Sequence, residues 1–177
     1  MRGSPAAWSR AYAVQAKADL ATRNALRGVA GLPTCQQLHF LQMACEKVSK
    51  AHRCRGGTDP REVQSSHAYA AKVIPLIAKQ LFSRRPSPVD MSQAKAMEAI
   101  RRLSREVELL APSVDDGGRR PENCEYPWED AKGDLYIPAE HEFSELDRID
   151  LHRAGLTFLK VLVTATEELA SGSYTVA

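Results

Sequence analysis

Residues 38–51, LHFLQMACEKVSKA, decide the fold of this chain. Four apolar residues recur there at spacings of three, four and three: Leu38, Leu41, Cys45 and Val48. This is the stripe of an amphipathic helix that packs on one side against other helices. Glu46 and Lys50 lie four residues apart with the acid first, the order that favours an ion pair on a helix. The pattern predicts a core helix of an all-α domain.

One helix is predicted before this core helix and one after it. Ser4 and Pro5 suit the N-cap and the first position of an opening helix that ends near residues 28–31. After the core helix, residues 56–66 form a polar, turn-rich loop. A third helix is predicted over residues 67–82, where Pro75 should kink it or shift its start.

Two later helices complete the prediction. The fourth is capped by Asp90 or Ser92 and ends before Pro112. The last begins at Phe143 with an acid variant of the capping box, and its predicted apolar stripe comprises Ile149, His152, Leu156, Leu159 and Val163. Alternation of polar and apolar residues is too scarce to predict a sheet. The fold class is therefore an all-α bundle of five helices in one domain that covers residues 1–177.

Residues 112–142 are predicted to be a long loop between the fourth and fifth helices. They are rich in proline and glycine and have few periodic apolar positions. A long loop within a compact domain is uncommon and is usually functional or disordered. Its aromatic residues favour an ordered loop that covers the bundle, with Tyr126 and Trp128 mostly buried. Residues 134–138 are predicted to be a short extended piece.

Composition indicates an ordinary globular protein, because 44% of the 177 residues are hydrophobic and 26% are charged. No apolar run approaches the roughly 18 residues that a membrane span requires. The four cysteines form no C-x-x-C pair and have no histidine at zinc-ligand spacing. We therefore expect a reduced, cytoplasmic protein without a metal or a cofactor.

Charge is distributed unevenly along the chain. Residues 1–111 carry 18 Lys and Arg against 8 Asp and Glu, which gives +10, and residues 112–177 carry 6 against 14, which gives −8. Such asymmetry can indicate a basic surface for nucleic acid, or two parts of one bundle that attract each other. The second interpretation is favoured slightly, because no interleaved aromatic residues accompany the basic ones.

The segment Gln42–Ala51, QMACEKVSKA, is similar to the signature Q-x-A-x-E-K-x-x-K-A of HEPN domains. Asp19-Leu20, Ser66-His67 and Tyr126-Pro127 follow the order of further family motifs. The resemblance implies a small helical bundle, a homodimer, and a place beside nucleotidyltransferases or in toxin–antitoxin and RNA-cutting defence systems. It also implies a mainly structural role for the signature residues Gln42, Glu46, Lys47 and Lys50.

In HEPN nucleases, an Arg-x(4–6)-His motif in the later helices cuts RNA across a dimer cleft. Here Arg148 and His152 have only three residues between them. His152 is better explained as a hydrogen-bonded core histidine on the apolar stripe. Arg61 and His67 have the required spacing but lie before the third helix, and are the candidate catalytic pair.

Five arginines are the candidate contacts to RNA phosphates: Arg84, Arg85, Arg101, Arg102 and Arg105. The sequence therefore predicts a non-catalytic or degenerate HEPN protein that associates with nucleotide or RNA in a toxin–antitoxin or defence system. One alternative is a metal-independent HEPN ribonuclease. Another is an interaction module that uses the long loop to bind a partner protein, for instance a nucleotidyltransferase.

Overall fold

The computed structural model describes residues 3–65, 67–85, 91–112 and 122–176. The α-helices in these ranges are α1 (Pro5–Leu26), α2 (Thr34–Arg55), α3 (Pro60–Gln64), α4 (Ala70–Arg84), α5 (Gln93–Glu108) and α6 (Arg153–Ser171). The remaining elements are the strands β1 (Trp128–Glu129) and β2 (Leu135–Tyr136) and a 3-10 turn, Ser144–Leu146. The predicted all-α bundle is confirmed.

Helix α2 is the centre of the bundle, as its apolar stripe predicts. It packs against each of the other five α-helices in the described residues, and most extensively against α1. Leu38, Leu41, Cys45 and Val48 are all buried. The amphipathic period thus identified both the central helix and the face that it buries.

The prediction of a loop over residues 56–66 is wrong, because this segment contains the short helix α3. The Asp59 carboxylate accepts a hydrogen bond from the backbone N–H of Arg61, and Pro60 occupies the first helical position. Helix α4 then begins at Ala70, three residues later than predicted, and continues past Pro75. Ser66, part of one HEPN-like motif, lies outside the described residues.

Side-chain caps fix two of the predicted helix starts. Ser4 Oγ accepts a hydrogen bond from the N–H of Ala7 at the start of α1. Ser92 Oγ accepts one from the N–H of Lys95, so Ser92 is the cap of α5. The alternative cap, Asp90, lies outside the described residues.

The part of the long loop that the structure describes packs down on the bundle through one aromatic group. Trp128 is buried and stacks on Tyr136 with ring centroids 5.7 Å apart. The ring of His141 lies edge-on to Trp128, and the ring of Phe143 is tilted against it. The short extended piece predicted over residues 134–138 is present as strand β2, which pairs antiparallel with β1. The two strands form a small sheet, so the prediction of no sheet is wrong. Tyr126 is 61% exposed, contrary to expectation.

The last helix begins ten residues later than predicted. Asp147 Oδ2 does accept a backbone hydrogen bond over 2.7 Å, but from the N–H of Phe143, one residue before the Ser144 cap that the pattern predicts. This contact closes only a 3-10 turn. Helix α6 starts at Arg153, and His152 is its N-cap, accepting a hydrogen bond at Nδ1 from the N–H of Gly155. His152 is therefore not a core histidine, and it does not share a helix with Arg148.

The buried face of α6 also differs from the predicted stripe. Its buried apolar residues are Phe158, Val161, Leu162, Ala165 and Leu169. Leu156 and Val163, which the prediction placed inside, are exposed. No helix in the described ranges combines the length and the apolar character that a membrane crossing needs.

Candidate functional site

The HEPN-like signature residues lie on one face of α2 inside the bundle. Gln42, Glu46 and Lys50 are spaced four residues apart, so they share a face, and all three are buried. Gln42 Nε2 lies 3.5 Å from Glu46 Oε2 and donates to it, and Lys50 Nζ lies 2.7 Å from Glu46 Oε1. Together with His67 they form what we call the signature cluster.

Glu46 is the acceptor at the centre of the signature cluster. Its second carboxylate oxygen, Oε2, lies 2.9 Å from Nδ1 of His67. Burial alone would raise the pKa of the Glu46 carboxyl, but hydrogen bonds from Lys50 and His67 outweigh it and hold this pKa below its usual value. Glu46 is therefore a carboxylate at neutral pH, and its negative charge is compensated inside the fold.

The remaining signature residue, Lys47, joins α2 to α1. Its Nζ lies 2.6 Å from Asp19 Oδ2, and both side chains are largely buried. Asp19 also accepts a hydrogen bond from Gln15 one turn earlier on α1. Asp19 and Lys47 thus meet across the α1–α2 interface, which agrees with a structural role for Lys47.

His67 is the member of the signature cluster that reaches the surface, because its side chain is 48% exposed. Glu46 occupies Nδ1, so Nε2 is the ring nitrogen left to contact a ligand. A buried carboxylate that orients a half-exposed histidine is an arrangement capable of acid–base chemistry. This is the strongest catalytic feature in the described part of the chain.

The structure does not bring Arg61 into this arrangement. Arg61 forms a two-point contact with Asp59, with Nη2 2.8 Å from Oδ2 and Nε 3.2 Å from Oδ1. These hydrogen bonds raise the pKa of the Arg61 guanidinium, which is exposed. Arg61 lines an open groove with Trp8, Pro60 and Gln64, among other residues. Arg61 and His67 are thus bound to different carboxylates.

Three of the five arginines predicted to bind RNA pair with acidic residues of the C-terminal third. Arg84 and Arg85 lie 3.3 and 3.2 Å from the carboxylate of Glu168, whose side chain is largely buried. Arg102 pairs with Glu145, and both side chains are about half exposed. Arg101 and Arg105 lie one turn apart on the exposed side of α5.

Part of the charge asymmetry of the sequence becomes an intramolecular attraction in the fold. Besides the arginines above, Arg23 of α1 and Arg27, the residue that caps the end of α1, pair with Asp150 at 2.5 and 3.1 Å. The basic residues 1–111 and the acidic residues 112–177 therefore attract each other across the bundle.

Two further polar groups were not predicted from the sequence. The hydroxyl of Tyr174 donates to Gln80 Oε1, and His52 Nε2 lies 3.1 Å from the same oxygen. Burial lowers the pKa of His52, partly offset by its bond to Gln80. The second group is His39, Cys124 and Glu125, whose donor atoms converge. Neither group has a local spacing signal, because its members lie on separate elements.

Comparisons of this chain with protein-family models, with curated proteins and with solved structures find no match.

Proposed function

We propose that this chain is a HEPN-like, non-cleaving protein that associates with RNA through the exposed arginines of α5. The observation that carries this proposal is the separation of Arg61 and His67, each of which is engaged by its own carboxylate. Cleavage at a 2′-hydroxyl needs a base and a cation directed at one phosphate group. Arg61 pairs with Asp59 and His67 with Glu46, so we do not assign these two side chains to one phosphate.

The RNA contacts are best assigned to Arg101, Arg102 and Arg105. Exposed ion pairs contribute little, about 0–1 kcal/mol, so a phosphate can replace Glu145 at Arg102 at small cost. Arg84 and Arg85 are different, because removing them from Glu168 would leave a largely buried carboxylate unpaired. The face of α5, rather than the end of α4, is therefore the proposed RNA surface.

The variant R101A/R105A should weaken binding of a fluorescent single-stranded RNA, measured by anisotropy over a series of salt concentrations. Each lost phosphate contact should reduce the slope of log affinity against log salt by about 0.7, so the pair should reduce it by about 1.4. R85A is the matched control and should leave the slope unchanged. In the same samples, without added metal, the wild-type protein should leave the RNA uncut. An equal loss in R85A would contradict the assignment to α5.

A second candidate function, metal-independent RNA cleavage, is favoured by the contact between Glu46 and the half-exposed His67. It predicts cleavage by the wild-type protein that disappears in both H67A and R61A, with the helical circular dichroism signal retained. That result would overturn the non-cleaving proposal. RNA binding without cleavage would support it.

A homodimer is the proposed assembly, formed through the outer face of α6. Leu156 and Val163 are exposed on this face, and Leu151 just before the helix is 79% exposed. Such a row of apolar side chains on one helix is typical of a surface that a second copy covers.

Light scattering at micromolar concentration should give the mass of a dimer for the wild-type chain. L156E/V163E should shift it to the monomer, because the charges would be buried in the interface. V14E introduces the same charge at an exposed apolar position of α1 and should remain dimeric. A wild-type monomer under these conditions would contradict the proposal.

The exposed apolar residues of the long loop support a partner protein as a further component. These exposed side chains, in and beside the β1–β2 hairpin, are Tyr126, Leu135 and Ile137. Trp128 of the same hairpin is buried. A nucleotidyltransferase-type protein is the partner that the HEPN resemblance favours.

A further inference from the structure

His39, Cys124 and Glu125 bring three different metal-binding groups together outside the signature cluster. His39 lies on α2, and the other two lie in the loop that follows α5. One donor atom from each residue, an imidazole nitrogen, a sulfur and a carboxylate oxygen, lies within 4.8 Å of the other two. The three groups face each other across the junction between the central helix and the long loop.

The Nδ1 atom of His39 is buried and has no hydrogen-bond partner in the described part of the chain. It lies 3.4 Å from Glu125 Oε1, without the geometry of a hydrogen bond. A buried polar atom left unsatisfied costs about 1–3 kcal/mol, so such atoms normally have a partner. A cation between the imidazole and the carboxylate would supply one.

The loop residues of this group are held in place by the protein itself. The N–H of Cys124 donates to the carbonyl oxygen of Leu110 over 3.2 Å. The Asn123 side chain accepts hydrogen bonds from the N–H groups of Glu125 and Tyr126, at 3.0 and 2.7 Å. Cys124 is a free, buried thiol. These bonds fix the backbone of Cys124 and Glu125 before any ion binds, which favours binding. The Cys124 thiol donates to the Leu110 carbonyl oxygen over 3.5 Å, a weak bond that a metal-bound thiolate would give up.

We propose that His39, Cys124 and Glu125 bind one Zn²⁺ ion. Imidazole nitrogen, thiolate sulfur and carboxylate oxygen are the three ligand types that Zn²⁺ accepts in proteins, and a mixed set of this kind suits it better than Mg²⁺ or Ca²⁺. Three protein ligands leave the fourth tetrahedral position to water. The ion would fasten the loop to α2.

The test is a titration of the metal-free 177-residue chain with Co²⁺, which reports a bound thiolate through its near-ultraviolet charge-transfer band. One equivalent of Co²⁺ should produce the band, and one equivalent of Zn²⁺ should abolish it. C124S should lose the band altogether. C54S removes a buried thiol elsewhere and should keep it. Circular dichroism confirms that each variant is folded.

Two further variants keep the proposal testable if C124S does not fold. His39 and Glu125 are partly exposed, so H39A and E125Q should fold normally. Each should weaken Zn²⁺ binding by more than about 100-fold, since even residues that only support a ligand contribute about 10–100-fold. A wild-type chain without the band, or unchanged Zn²⁺ affinity in both variants, would overturn the proposal.

Discussion

E46A should unfold at a much lower urea concentration than the wild-type chain, with a loss of about 3–5 kcal/mol in the free energy of unfolding. The reason is that Lys50, itself buried, would keep its positive charge but lose the carboxylate 2.7 Å away. The ring of Tyr12, whose centroid is 6.0 Å from Nζ, would remain beside the ammonium group but carries no negative charge to replace the carboxylate. Urea unfolding followed by circular dichroism measures the effect.

Two controls separate a broken buried pair from a general loss of contacts. E46A/K50M removes both charges and should recover part of the loss, because replacing a whole buried pair by apolar groups is often nearly neutral. R61A breaks an exposed pair and should leave the unfolding midpoint unchanged. An E46A chain as stable as the wild type would show that the signature cluster does not support the fold.

The same carboxylate makes stability depend on pH in a predictable direction. Because the pKa of Glu46 is lower in the folded than in the unfolded chain, the unfolded state takes up this proton first as the pH falls. The contribution of Glu46 is thus complete above its unfolded pKa, about 4.3, and is lost as the pH falls through the folded value. E46Q should flatten this part of the stability profile.

Y174A should also destabilise the chain strongly, by about 3–5 kcal/mol, the range for removing a large buried aromatic side chain. Tyr174 is fully buried, packs edge-on against His52, and lies under the guanidinium of Arg84. Y174F removes only the hydroxyl that donates to Gln80, and should cost about 1 kcal/mol.

The control for Y174A lies two residues further along the same segment. Val176 is partly exposed, so V176A should change stability by no more than about 0.5 kcal/mol. Thermal unfolding of the three variants gives the comparison. Equal effects of Y174A and V176A would mean that the segment, rather than the tyrosine, is what matters.

Local signals explain which parts of the fold the sequence could predict. The stripe of α2 and the caps Ser4 and Ser92 depend on residues within one or two turns, so the pattern contains them. The start of α6 is local as well, but its signal is unusual, because the N-cap is His152, a residue outside the usual N-cap set. The contact between Phe143 and Asp147 closes only a 3-10 turn.

The candidate site divides in the same way. The Glu46–Lys50 ion pair can be predicted from the sequence because both residues lie on one helix, four positions apart. His67, the partner of Glu46 from outside α2, belongs to a different motif. Its contact with Glu46 depends on how the chain after α2 folds back onto that helix. His39 and Cys124 meet only in the folded bundle, because they come from α2 and from the loop after α5. Spacing rules for metal ligands could not detect them.

The extensive packing of α1 against α2 has a consequence for the order of folding. These helices are neighbours in the chain, so joining them closes only a short loop and loses little chain entropy. We therefore expect their interface, including the contact between Asp19 and Lys47, to form the nucleus of the folding transition state. The contacts of Arg23 with Asp150 and of His52 with Tyr174 span most of the chain and would form later, as the C-terminal third docks onto a helical hairpin already in place.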